Sequence, residues 1–186
     1  MSERPPYRLE PMTERDAAAI SAWRYPPPYD AYDWLPWEQA AAERRDYADP
    51  DVRERQYRAV RCGDELCGFV QWFPLAGEEG APIVRLGLGL KPDWCGRGRG
   101  AGFARFAAQA TAERHLGHRI DLEVAKDNAR AIAAYEKAGF RAVDEYDLPL
   151  PGRGIVPVVN MIWPFRPTLT TETDGKFSTR YAPPCR

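Results

Sequence analysis

The chain has no apolar run approaching the ~18 residues needed to cross a bilayer as a helix, so no membrane span is expected. It has no surplus of either charge: 26 basic residues face 27 acidic ones, a formal net charge of −1. That balance gives no field for a nucleic acid or a membrane surface, and neither is expected as a partner. Its first residues, Met1-Ser2-Glu3-Arg4-Pro5-Pro6, lack the apolar centre of a signal peptide. A cytoplasmic protein with its four cysteines reduced is therefore expected. Histidine is scarce, with two residues in 186. His115 and His118 stand on a polar segment, and Cys62 and Cys67 flank Gly63-Asp64-Glu65-Leu66. Neither spacing matches a zinc ligand pair, so no metal is expected. Internal repeats are absent as well.

What is present is a strand, a glycine-rich turn and a helix in succession, between Leu86 and Ala110. Residues 83–90 are apolar except for Arg85 and the glycines, which suits a buried or half-buried strand. Pro92 cannot donate to a sheet ladder and favours the strand's end. Gly96, Gly98 and Gly100 leave three backbone positions without side chains, so their N–H groups can approach an anion closely at the positive end of the next helix. Arg97 and Arg99 add positive charge. Phe103, Phe106, Ala107 and Ala110 recur at the spacing of one helical face. The turn looks built for phosphate; the alternative is a solvated loop with a basic face. No Gly-Lys-Ser/Thr closes it, so it is not a Walker loop. The β-rich segment ahead of it argues against a dinucleotide fingerprint, which belongs after the first strand of its unit.

The remaining chain is read as one domain over residues 1–163 and an irregular tail over 164–186. Residues 7–12 alternate as a first strand, and Thr13 caps an Ala-rich helix running toward Trp23. Glu38 to Tyr47 reads as a helix. Gln56–Cys62 and Leu66–Phe73 read as strands joined by a hairpin turn at Gly63-Asp64-Glu65. Arg119 to Ala125 alternates apolar and polar residues, with Glu123 on the polar face. Lys126-Asp127-Asn128 opens a helix over Ala129–Lys137, and Gly139 stops it. A strand from Phe140 to Val143, a loop over 149–154 and a strand from Val156 to Trp163 complete the body. Between Trp23 and Trp37 lies an insert with six aromatics around Pro26-Pro27-Pro28. It reads either as a plug over the sheet or as a lid on a substrate pocket, in which Tyr29, Tyr32, Asp30 and Asp33 would meet the substrate.

Two stretches together resemble the GNAT superfamily of acyl-CoA-dependent N-acetyltransferases. One is Pro92-Asp93-Trp94-Cys95-Gly96-Arg97-Gly98-Arg99-Gly100, which looks like that family's pyrophosphate loop. The other runs from Leu122 to Phe140 and carries the strand, Asn128, helix, Tyr135, Gly139 and Phe140 at the family's positions. Cys95 departs from the Gln or Arg often found there, and an alternative loop register runs from Arg97 to Gly102. The resemblance implies an α/β GNAT (acyl-CoA N-acyltransferase) fold: a mixed, twisted sheet of six or seven strands with helices on both faces. It implies acetyl-CoA as the donor. The pantetheine would pair with the edge at Leu88, Gly89 and Leu90, and the pyrophosphate would lie on the amides of Gly96, Arg97, Gly98, Arg99 and Gly100, with Asn128 as a further contact.

The activity implied is transfer of the acetyl group directly to a primary amine, on a small molecule or a peptide N-terminus, in a ternary complex. A phenol can protonate the departing thiolate, and Tyr135 stands where the family places that acid. Its alternative is a packing tyrosine beside Gly139 and Phe140. Glu123 matches the base glutamate of the ribosomal-protein alanine N-acetyltransferases. A solvated or ion-paired strand glutamate, with water as the base, is the competing reading. A monomer or homodimer is expected. A non-catalytic acyl-CoA-binding or sensing module is the alternative function, and a purely partner-binding role for the aromatic insert is a third.

Overall fold

The computed structural model describes residues 7–77, 80–150, 153–164, 169–171 and 177–179. Strands β1 (Tyr7–Pro11), β2 (Tyr57–Cys62), β3 (Glu65–Ala76), β4 (Pro82–Leu90), β5 (Arg119–Ala125), β6 (Arg141–Leu150) and β7 (Gly154–Trp163) form one sheet in the order β1-β2-β3-β4-β5-β7-β6. Every neighbouring pair is antiparallel except β4 and β5, which run parallel. A parallel pair needs a crossover, and helix α4 (Gly100–Arg114) supplies it. The sheet is thus mixed and seven-stranded, as expected.

Helices cover both faces. On one, α4 and α5 (Ala129–Ala138) pack over Val70, Trp72, Val84, Leu86, Ile120, Leu122, Val124, Val159 and Met161. The inward side of α4 is Phe103, Ala104, Ala107, Ala108 and Ala112, so the helix lies close to the strands. Phe103 reaches deepest: a Cβ built on Gly68 would fall 2.5 Å from its ring. Burying such a phenyl ring contributes about 2–3 kcal/mol. On the other face, α1 (Glu14–Ser21), α2 (Trp37–Ala42) and α3 (Pro50–Gln56) gather Met12, Ala17, Ile20, Ala40, Tyr47 and Tyr57 into a second core. That core sits over β2 and β3. Toward β5 and β7 the same face turns polar, with Arg85, Asp121, Glu123 and Asn160.

Local signals explain most boundaries. Thr13 and Asp16 form a reciprocal capping box on α1. Asn128 accepts from Ala131 N–H at 3.2 Å to cap α5, and Gly139 ends it at φ +117°. Several sequence expectations need correction. The helix expected over 38–47 stops at Ala42, where Arg44 adopts φ +50°, and a separate α3 follows on the Asp49 cap and Pro50. Gln56 closes α3 rather than opening β2. The loop expected over 149–154 is narrower, because β6 runs to Leu150 and β7 starts at Gly154; residues 151 and 152 lie outside the described set. Within the tail read as irregular, β8 (Leu169–Thr171) and β9 (Phe177–Thr179) pair antiparallel; the rest of 165–186 lies outside the described residues. Among the described residues no helix is long and apolar enough to cross a membrane.

Candidate active site

The parallel ladder between β4 and β5 is short. It pairs Ile83 with Arg119, Val84 with Ile120 and Arg85 with Asp121, and stops, although β4 continues to Leu90 and β5 to Ala125. Past that point the two strands part, and a cleft of about 700 Å³ opens between them. Leu86 to Leu90 line one wall and Leu122 to Ala125 the other. Two glycines of β4 are covered by side chains of β3. Gly89 carries no side chain because Phe69 lies across it, and a Cβ there would fall 2.2 Å from that ring. Gly87 likewise faces Gln71 and Phe73, at 3.3 and 3.2 Å from a built Cβ.

The glycine turn closes one end. Gly96 and Gly98 have φ of +71° and +72°, the left-handed region, and nothing lies within 4 Å of a Cβ built on either. They turn the chain tightly before α4 begins at Gly100. The helices α1, α3 and α5 each have a side-chain cap, whereas Arg99 makes none for α4. The start of α4, like that of α2, thus carries no side-chain cap; it is the positive end of a 15-residue helix, with Gly96, Gly98, Gly100 and Ala101 lining the cleft. This open edge and uncapped turn fit an extended, phosphate-bearing thioester such as acetyl-CoA. Asn128 and Arg130 line the cleft from the start of α5. Arg97 and Arg99 are exposed and do not line it; the Arg99 guanidinium sits 4.0 Å over the Trp94 ring instead.

Tyr135 faces the cleft from α5, half-buried, in contact with Phe140 at 5.9 Å between ring centroids. Burial pushes its phenol above the ordinary tyrosine value, and the neighbouring Tyr32 and Cys95 push the same way. The phenol thus remains a proton donor through neutral pH. Glu123 also lines the cleft. It is not free: Arg85 pairs with its Oε1, and the Tyr146 hydroxyl donates to the same oxygen. Arg85 further holds Asp121, fully buried, through Nε and Nη2 at 2.9 and 3.0 Å. Asn160 donates to Asp121 at 3.3 Å from the partner strand. Burial and then the bond to Glu123 push the Tyr146 phenol up to about 12.

The insert divides by residue type. Trp23, Leu35 and Trp37 pack into the second core, while Tyr25, Tyr29 and Tyr32 line the cleft; Trp34 does both. The insert therefore packs on the sheet through some side chains and lines the cleft with others. Three contacts hold the tyrosines over the cleft. The Tyr25 hydroxyl donates to Leu90 O at 2.9 Å, the Arg130 guanidinium lies 3.8 Å over Tyr29, and Arg153 reaches both Tyr32 Oη at 3.4 Å and Asp127. Asp33 is not part of the lining. It accepts from Tyr25 N–H at 2.9 Å and pairs with Arg24 at 3.9 Å, so it shapes the insert. Asp30 is exposed outside the lining.

Sequence reasoning passed over Tyr25, Gln71, Phe69, Arg130 and Tyr146. Arg85 left a signal, being the one charge in an otherwise apolar strand. The others had none, because their neighbours in space are remote in the chain.

No curated protein sequence matches the chain. Among solved structures, an aminoglycoside acetyltransferase AAC(6')-Ib in complex with coenzyme A is similar over 84% of this chain and 95% of its own, at 20% identity and a TM-score of 0.62. A chimera of the Vibrio cholerae spermidine N-acetyltransferase SpeG with hSSAT is similar over 84% and 93%, at 18% identity and a TM-score of 0.62. An aminoglycoside N(6')acetyltransferase from Legionella pneumophila is similar over 87% and 92%, at 17% identity and a TM-score of 0.64. At such identities these likenesses establish the fold. The model of the acetyltransferase (GNAT) domain family matches residues 7–141, and the chain thus belongs to the GNAT acetyltransferases, acyltransferases that draw on acetyl-CoA.

Proposed function

We propose that this protein transfers an acetyl group from acetyl-CoA directly to a primary amine, in a ternary complex, with Tyr135 as general acid. The observation that carries the reading is the splay of β4 from β5, flanked by an uncapped helix start and by a half-buried, protonated phenol. The backbone edge at Leu88, Gly89 and Leu90 would hold the pantetheine as an added strand, with the turn at Gly96, Gly98 and Gly100 and the Asn128 region holding the phosphates. Acetyl-CoA supplies an acetyl group activated as a thioester.

The chain's own groups handle two protons. As the amine nitrogen bonds to the carbonyl carbon and the carbon–sulfur bond breaks, Tyr135 gives its proton to the sulfur. Glu123, or a water beside it, takes the proton released by the amine. A backbone N–H of the open β4 edge can stabilise the carbonyl oxygen. Tyr29 and Tyr32 would contact the acceptor. The acceptors named for the similar structures, aminoglycosides and spermidine, are amines and support an amine acceptor in general terms.

The test is release of free CoA thiol from acetyl-CoA over a panel of amines and peptides. Titration calorimetry with acetyl-CoA alone accompanies it. Binding with amine-dependent thiol release is expected. Binding without release from any acceptor would favour a sensing module, and no binding would end the reading.

A further inference from the structure

The charge and chemistry of the cleft narrow the acceptor further, on the premise that the protein is the amine acetyltransferase proposed above. The formal charges lining the cleft, among the described residues, are Glu123 against Arg130 and Lys137. Glu123 shares Arg85 with the buried Asp121, so that cluster of two carboxylates and one guanidinium carries a single net negative charge. Arg119, at 3.6 Å from Asp121 on the exposed end of β5, offsets part of even that. The remaining surface is aromatic: Phe69, with Trp34 against it, stands on the side of the sheet that carries Glu123, and Tyr29 and Tyr32 line the same cleft.

A polyamine brings several ammonium groups, each of which must find a carboxylate or remain in water. Here less than one net negative charge is available. A second or third ammonium would lie unpaired against aromatic rings. A single ammonium meets the opposite situation. Its charge matches the cluster at Glu123, and the faces of electron-rich rings attract both a cation and the carbon skeleton attached to it. The wall is already in place without a ligand. Trp34 is stacked on Tyr47 with centroids 4.1 Å apart and leans on Phe69 at 4.7 Å, while Arg130 and Arg153 hold Tyr29 and Tyr32. Little ordering remains to be done when a flat, apolar body enters.

We infer that the acceptor is a monoamine with an aromatic or apolar body, not a polycation. The experiment compares kcat/KM for 2-phenylethylamine, ethanolamine, spermidine and kanamycin, on the full chain with saturating acetyl-CoA at physiological salt. The inference expects 2-phenylethylamine to exceed both polycations by at least about tenfold, and ethanolamine, which lacks the ring, by a similar factor. Tyr32→Ala, at a half-exposed position, should raise KM for 2-phenylethylamine about tenfold while changing ethanolamine about twofold or less. Preference for spermidine or kanamycin overturns the inference and leaves acetyl transfer standing. So does acetyl-CoA binding with no turnover of 2-phenylethylamine, or a Tyr32→Ala effect equal on both small amines. Failure to bind acetyl-CoA overturns the proposed function itself.

Discussion

Tyr135 and Arg85 are single side chains with opposite duties. The Tyr135 phenol keeps its proton because burial disfavours the phenolate. If it is the acid, Tyr135→Phe lowers kcat about 100-fold with acetyl-CoA affinity changed about twofold or less, since the hydroxyl acts only as the thiolate leaves. Turnover and calorimetry together check this, and unchanged kcat removes Tyr135 from the chemistry. Arg85 instead keeps the fold intact. It is the bidentate partner of Asp121, whose side chain is 0% exposed. Arg85→Met leaves that carboxylate only Asn160 at 3.3 Å and Arg119 at 3.6 Å, and should cost about 3 kcal/mol in urea denaturation. The sequence showed Arg85 as a lone charge in an apolar strand. Its partner lies 36 positions on, in a strand whose register no local rule predicts. Glu123 was legible as a polar-face residue of β5, but its two donors come from β4 and β6.

Among the elements, β4 and the turn before α4 use glycine for different reasons. At Gly89 the reason is space, because Phe69 occupies the place of a side chain. At Gly96 it is the φ of +71°, in an otherwise open position. Gly89→Ala should therefore lower stability by about 1–3 kcal/mol as Phe69 is pushed aside. Gly96→Ala should cost about 1–2 kcal/mol from the left-handed backbone, and should weaken acetyl-CoA binding if the turn holds its phosphates. Thermal melts and calorimetry on the two variants separate these effects; equal behaviour would refute the distinction. The element most readily missed is α3. Its start carried a cap and a proline, Asp49-Pro50, but its seven residues hold one aliphatic side chain, Val52, so no apolar period announced it. The far end of β6 hid behind a proline: Pro149 read as loop, yet it stands in the strand.

For the whole molecule, the cores and the cleft together cover several tyrosines, in whole or in part. Tyr25, Tyr57 and Tyr135 all have their phenols raised above the ordinary 10.0, with burial the largest cause in each. An unfolded chain releases those protons near pH 10, whereas the folded chain retains them. The folded state then holds more protons, so stability is full below pH 10 and falls as pH rises beyond it, by about 1.4 kcal/mol per pH unit for each tyrosine. Urea midpoints on either side of pH 10 measure the slope. Tyr57→Phe, which removes one titrating group, should make it shallower; an unchanged slope would refute the assignment. The pieces that depend on near neighbours were readable from the residues: the Thr13 and Asn128 caps, the Gly139 stop, the alternation of β5, the glycine turn leading into α4. Each is settled by interactions spanning a few positions, and those within residues 92–100 and 122–140 carried the family resemblance. The cleft is of another kind. Its opening depends on where the β4–β5 ladder ends, its charge on which carboxylates share Arg85, and its walls on the tyrosines of the insert turning to the cleft while Trp23 and Trp37 turn to the core. Those outcomes arise from contacts between segments tens of residues apart, whose register and packing are chosen by the assembled sheet.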